Sequence, residues 1–115
     1  MTNIINFERM MSEFAGDEEI LKEIMETFAT TLPEMVAAIA TAIANNDCKA
    51  LEFSAHTFKG SASNFYAQAV VDSAFALENQ GRAGVMTNAL ENYKVLENLT
   101  HEFTAELRSF LKKAG

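Results

Sequence analysis

The sequence predicts an all-α chain, folded as an antiparallel four-helix bundle with a short N-terminal capping helix. Three observations lead there. Ala, Leu, Glu and Met are plentiful, while only five Gly and one Pro occur in 115 residues, a composition that suits helix interiors. No Asn-Gly or Asp-Gly hairpin signal is present. Apolar residues recur at three-then-four spacing over long stretches with short connections, the pattern of adjacent antiparallel helices. With 49% apolar residues, the chain fits one domain with its own core.

Taken in order, residues 7–14 form a short amphipathic piece with Phe7, Met10, Met11 and Phe14 on one side. Gly16-Asp17 breaks it. Asp17 is a suitable N-cap for a helix opening with Glu18 and Glu19, whose charges complement the exposed first-turn amides. That helix is expected over 18–44, with a stripe of Leu21, Ile24, Met25, Phe28, Leu32, Met35, Val36, Ile39 and Ile43. Pro33 lies inside the stripe. It lacks an amide hydrogen and crowds the preceding turn, which predicts a kink or short break near Thr30 to Leu32. The stripe stays in phase on both sides, favouring one kinked helix over two.

Asn45-Asn46-Asp47 closes that helix and caps the next, expected over 48–66. A further helix over 67–80 buries Val70, Val71, Ala74 and Leu77. Gly81-Arg82-Ala83-Gly84 is the following turn. The last helix, over 85–112, sets Leu90, Tyr93, Leu96, Leu99, Phe103, Leu107 and Phe110 on one side.

Charge and cysteine usage narrow the function classes. A net charge of -7 without a Lys/Arg stripe argues against nucleic-acid binding and against attraction to anionic membranes. The N-terminus lacks the basic start and apolar run of a signal peptide. The small-apolar tract from Met35 to Ala44 is too short to cross a bilayer. Cys48, the single cysteine, forms no internal disulfide, fits a reducing compartment and reads as structural. A soluble, cytoplasmic domain is the expectation, and the start at Met1 without linker-like ends points to a free-standing protein.

The chemistry concentrates between Leu51 and Phe65. Read as a helix, Leu51, Ser54, Ala55, Phe58, Ala62 and Phe65 form a buried stripe. His56 lies on the opposite side, with Glu52, Lys59, Gly60 and Ser63 one or two turns away. Neutral imidazole is a good nucleophile near neutral pH. A lysine one turn away can pair with phosphoryl oxygens. A glycine inside a helix costs roughly 1 kcal/mol relative to Ala, so Gly60 marks a place where something comes close. Phe53, one turn before His56, is either an exposed partner anchor or a half-buried edge of the core.

The run His56-Thr57-Phe58-Lys59-Gly60-Ser61-Ala62-Ser63-Asn64 resembles the His-x-x-Lys-Gly-Ser signature of histidine-containing phosphotransfer (HPt) domains. The resemblance covers nearly the whole chain. It includes Gly-Asp-Glu-Glu at 16–19, Leu-Pro-Glu at 32–34, the Asn-Asp turn and Leu-Glu-x-x-Gly-Arg at 77–82. It implies a four-helix bundle whose solvent-facing His56 exchanges a phosphoryl group with the aspartyl phosphate of a receiver domain. Lys59 then steadies the phosphoryl group, and Gly60 is the small residue that lets the receiver dock, while the position of Ser63 two turns from His56 keeps that approach low. Glu78 matches a polar partner of the histidine ring, and its alternative is a solvated carboxylate. Arg82 matches a basic position near the site in some members, or is only a turn residue. Where many members have Gly, this chain has Tyr66, expected to reshape the rim of the docking surface.

By the same resemblance, the partners are receiver domains of response regulators or hybrid histidine kinases. A monomer is the default for a carrier that must expose one histidine face, with a dimer as the alternative. Mg2+ is expected on the partner receiver and no cofactor or metal on this chain. The chain has no Gly-rich phosphate loop and no room for an ATP-binding domain, so no kinase activity of its own is expected. Two other readings stand beside this one. A non-phosphorylated adaptor with the same fold would not need His56, Lys59 and Gly60 together. A di-metal bundle enzyme needs a Glu-x-x-His pair on each of two helices; His101 follows Glu97 at the wrong spacing and reads as a surface residue.

Overall fold

The computed structural model describes residues 4–14 and 17–114, with side chains as far as Lys112. Five helices follow in order: α1 (Phe7–Glu13), α2 (Glu18–Ala44), α3 (Cys48–Ser63), α4 (Gln68–Ala83) and α5 (Ala89–Ala114). Helix α3 packs on α4 and α2, while α5 packs on α2 and α4. These four pairings close the bundle. Its core holds Met25, Leu32, Ile39, Leu51, Phe58, Leu77, Leu96 and Phe103, all essentially without solvent contact.

Helix ends follow local chemistry. The side chains of Asn6, Asp17 and Asp47 accept from the amides of Arg9, Ile20 and Ala50, so each satisfies a first-turn donor. Of the expected break at Gly16-Asp17, Gly16 lies outside the described residues. The N-terminal segment docks on α5. Ile4 and Ile5 donate their amides to the Glu106 carboxylate at 2.7 and 2.9 Å, and Phe7 stacks on Phe110.

Helix α2 runs unbroken across Pro33. Pro33 is exposed while Leu32 is buried, so the ring faces water. In the turn before it, the Thr30 and Thr31 hydroxyls donate to the carbonyls of Glu26 and Phe28. By length and composition α2 also contains a stretch apolar enough to cross a bilayer, which the sequence reading of residues 35–44 alone missed. In the fold, Leu21, Met25, Phe28, Leu32, Ile39 and Ala42 of this helix are buried.

Three boundaries differ by three residues or more from those expected. Helix α3 ends at Ser63 rather than 66, because Tyr66 adopts a left-handed backbone (φ 53) that no helix continues through. Helix α4 reaches Ala83 rather than 80, and Gly84 is its left-handed cap (φ 72). Gly81 is therefore a helix residue, not a turn residue. A Cβ there would lie 2.5 Å from the Glu52 amide nitrogen and 2.6 Å from the Cys48 carbonyl oxygen, so its absence lets α3 and α4 approach closely. Helix α5 starts at Ala89 rather than 85, after the left-handed Asn88 (φ 64). That start buries Ala89 and leaves Leu90, expected in the core stripe, 56% exposed.

Candidate functional site

The close α3–α4 contact brings together side chains far apart in sequence. On α3, buried Ala55 and Phe58 fix the helix rotation, and His56 projects outward with its side chain 66% exposed. On α4, Glu78 follows Leu77 at the edge of the buried stripe and is only 2% exposed. Its Oε2 lies 3.2 Å from His56 Nδ1. The same oxygen accepts from an Arg82 terminal nitrogen at 2.8 Å. Oε1 forms an ion pair with Lys59 Nζ at 2.8 Å. Arg82 also donates through Nε to Glu52 at 3.0 Å. Two cations and two carboxylates thus form a charge-balanced group beside the imidazole.

A buried carboxylate survives only when paired and hydrogen-bonded. Burial pushes the Glu78 carboxyl up, but hydrogen bonds from Lys59 and His56, with their charges, outweigh it and hold it below its usual value. Arg82 is pushed further up by its hydrogen bond to Glu52 and the charges of both carboxylates. Glu78 is therefore ionised at neutral pH. An ionised carboxylate can only accept, so the 3.2 Å contact places the ring proton on Nδ1. In the neutral ring the lone pair is then on Nε2, and the ring is exposed.

Two shallow hollows flank this group. One is lined by Lys49, Glu52, Phe53, His56, Glu78 and Arg82. The other lies beside Gly60 and includes Lys59, Ser63, Val71 and Phe75. Phe53 is 73% exposed, so it is not a half-buried edge of the core. A Cβ on Gly60 would meet nothing within 4 Å. No contact among the described residues demands that glycine. Ser63 turns its hydroxyl back to the Gly60 carbonyl at 2.7 Å, which keeps the surface low.

His56, Lys59, Glu78 and Arg82 are thus joined directly, and Phe53, Gly60 and Ser63 border them. Tyr66 does not join them. Its ring lies under the Arg9 guanidinium, 4.7 Å from the centroid, and it lines neither hollow. Sequence reasoning gave no role to Glu52, the counter-charge of Arg82, or to Phe75, whose ring lies under Lys59 Nζ at 4.7 Å. Phe75 sits off the α4 apolar stripe, three residues before Glu78, and that misplaced aromatic was the available signal. His101 is exposed on α5. No cluster of three or more metal-ligating side chains occurs among the described residues.

An exposed histidine in contact with a buried carboxylate, with a lysine one turn away, thus stands on one face of a helical bundle. The Hpt domain family matches residues 23–112, and the chain belongs to that family, whose members act in histidine phosphotransfer in two-component signalling. Its fold is similar to the crystal structure of histidine-containing phosphotransfer protein B (HptB) from Pseudomonas aeruginosa PAO1. The TM-score is 0.83 at 23% sequence identity, covering 99% of this chain and 96% of that one. A search of curated proteins finds no match.

Proposed function

We propose that this chain is a phosphorelay carrier that receives a phosphoryl group on Nε2 of His56 from the aspartyl phosphate of a receiver domain, or from a kinase. It then passes the group to another receiver. The observation that supports this best is the Glu78–His56 contact, which occupies Nδ1 and leaves Nε2 free on an exposed ring.

In this reading the Nε2 lone pair attacks phosphorus. The Nε2–P bond forms as the bond from phosphorus to the aspartyl oxygen breaks, and the receiver's carboxylate leaves with that electron pair. The ring keeps its Nδ1 proton and becomes positively charged. Glu78, already ionised and in contact, stabilises that charge without reorganising. Lys59 is the cation that turns to the phosphoryl oxygens. Arg82 stays on Glu78 and holds the carboxylate in place.

The partner reads Phe53 as an apolar anchor, and the open surface over Gly60 and Ser63 admits its approaching helix or loop. Tyr66 shapes the far end of α3 and does not face the partner. Mg2+ belongs to the receiver's acidic pocket, and this chain supplies position and a nucleophile, with no nucleotide hydrolysis. A monomer in the cytoplasm is the working form.

The experiment offers purified protein a phosphorylated receiver domain with Mg2+ and follows acid-labile label. Wild type takes up label and His56→Gln takes up none. Label on His56→Gln, or none on wild type, rejects the carrier reading.

A further inference from the structure

Lys59 is not a loose surface lysine. Its ammonium lies 2.8 Å from Glu78 Oε1 and 4.7 Å from the centroid of Phe75, and its side chain is only 24% exposed. Phe75 and Glu78 stand three residues apart on α4, so ring and carboxylate present neighbouring faces. Together they hold the ammonium between the two helices. Phe75 is itself 44% exposed and sits outside the core, so burial does not explain an aromatic there.

Building on the carrier reading, we propose that Phe75 is a positioning residue for phosphoryl transfer that acts through Lys59. A free lysine stem samples many rotamers, and ordering it during the reaction would slow transfer. The Phe75 face restricts that stem beforehand. A ring face attracts a cation over a broad range of directions, whereas a hydrogen bond fixes one. The ammonium can therefore leave Glu78 Oε1 for the phosphoryl oxygens while keeping a favourable neighbour. Glu78 is not left uncompensated, because Arg82 remains on Oε2 at 2.8 Å.

Phe75 also lines the hollow beside Gly60, so a simple docking role is the alternative, and the test separates the two. Transfer from a phosphorylated receiver domain is measured over a range of receiver concentrations. The chains compared are wild type, Phe75→Leu, Phe75→Tyr, Lys59→Met and the Phe75→Leu/Lys59→Met double variant. Phe75→Leu keeps apolar bulk and removes the ring face. It lowers the saturating rate about threefold to tenfold and leaves the half-saturating concentration unchanged, while Phe75→Tyr restores the rate. In the Lys59→Met background, Phe75→Leu has no further effect. Equal effects in both backgrounds, or a change confined to the half-saturating concentration, overturn the positioning role while the carrier reading stands. No uptake by wild type removes both.

Discussion

Nδ1 of His56 and Oε2 of Glu78 meet at 3.2 Å across the α3–α4 contact, although the two residues are 22 positions apart. The carboxylate is buried and the imidazole is exposed, so a group of the protein interior faces one nitrogen of a surface ring. Removing the carboxylate should therefore change the chemistry before it changes access. Glu78→Leu is expected to release the Nδ1 proton preference, visible in the 15N shifts of the ring. It should lower the saturating transfer rate by tenfold to a hundredfold, on the order expected for a misoriented reacting group. Glu78→Gln keeps an acceptor oxygen, so it should keep the tautomer and lose less rate.

The same carboxylate gives the fold a pH dependence with a defined sign. Its value in the folded chain lies below 4.5 because hydrogen bonds and charges from Lys59 and His56 outweigh burial. The unfolded chain therefore takes up a proton first as the pH falls. Stability from Glu78 is fully present well above 4.5 and declines below it, until the folded carboxyl is also protonated. Urea unfolding at a series of pH values should show a shallower acid decline in Glu78→Gln than in wild type.

Two glycines in neighbouring helices should respond in opposite directions. Nothing lies within 4 Å of a Cβ on Gly60, whereas one on Gly81 meets backbone atoms at 2.5 and 2.6 Å. Gly60→Ala should gain up to about 1 kcal/mol of helix stability and slow transfer by intruding on the partner's approach. Gly81→Ala should lose about 2–3 kcal/mol by forcing α3 and α4 apart. At roughly 4 °C per kcal/mol for a domain of this size, thermal unfolding resolves both changes.

Tyr66 separates structure from function. A non-glycine residue in the left-handed region costs about 1–2 kcal/mol, and the stack with Arg9 offsets about 0.5–1 kcal/mol of that. Tyr66→Gly should therefore unfold within about 1 kcal/mol of wild type and transfer phosphoryl at the wild-type rate. A slowed transfer with unchanged stability would instead put Tyr66 in the docking surface.

These contrasts show what could be read before the structure. The stripe of Leu51, Ala55, Phe58 and Ala62 placed His56 on the outside because helix geometry leaves no other choice. Asp17 and Asp47 marked helix starts because capping is local chemistry. From sequence, Glu78 reads equally as a ring partner or a solvated carboxylate, since its surroundings depend on which α4 face meets α3. The packing of Gly81 on Glu52 and Cys48 settles that face, and no local pattern encodes it. Phe75 was missed for the same reason. The end of α3 was misjudged because tyrosine carries no signal for the left-handed backbone that Tyr66 adopts.

The nitrogen that becomes phosphorylated tests the central claim most directly. After transfer from a phosphorylated receiver to 15N-histidine-labelled protein, the 31P–15N coupling identifies the phosphohistidine isomer and its residue. Phosphorus on Nε2 of His56 is the expected result, because Glu78 occupies Nδ1. Phosphorus on Nδ1 of His56, or on His101, would contradict the account.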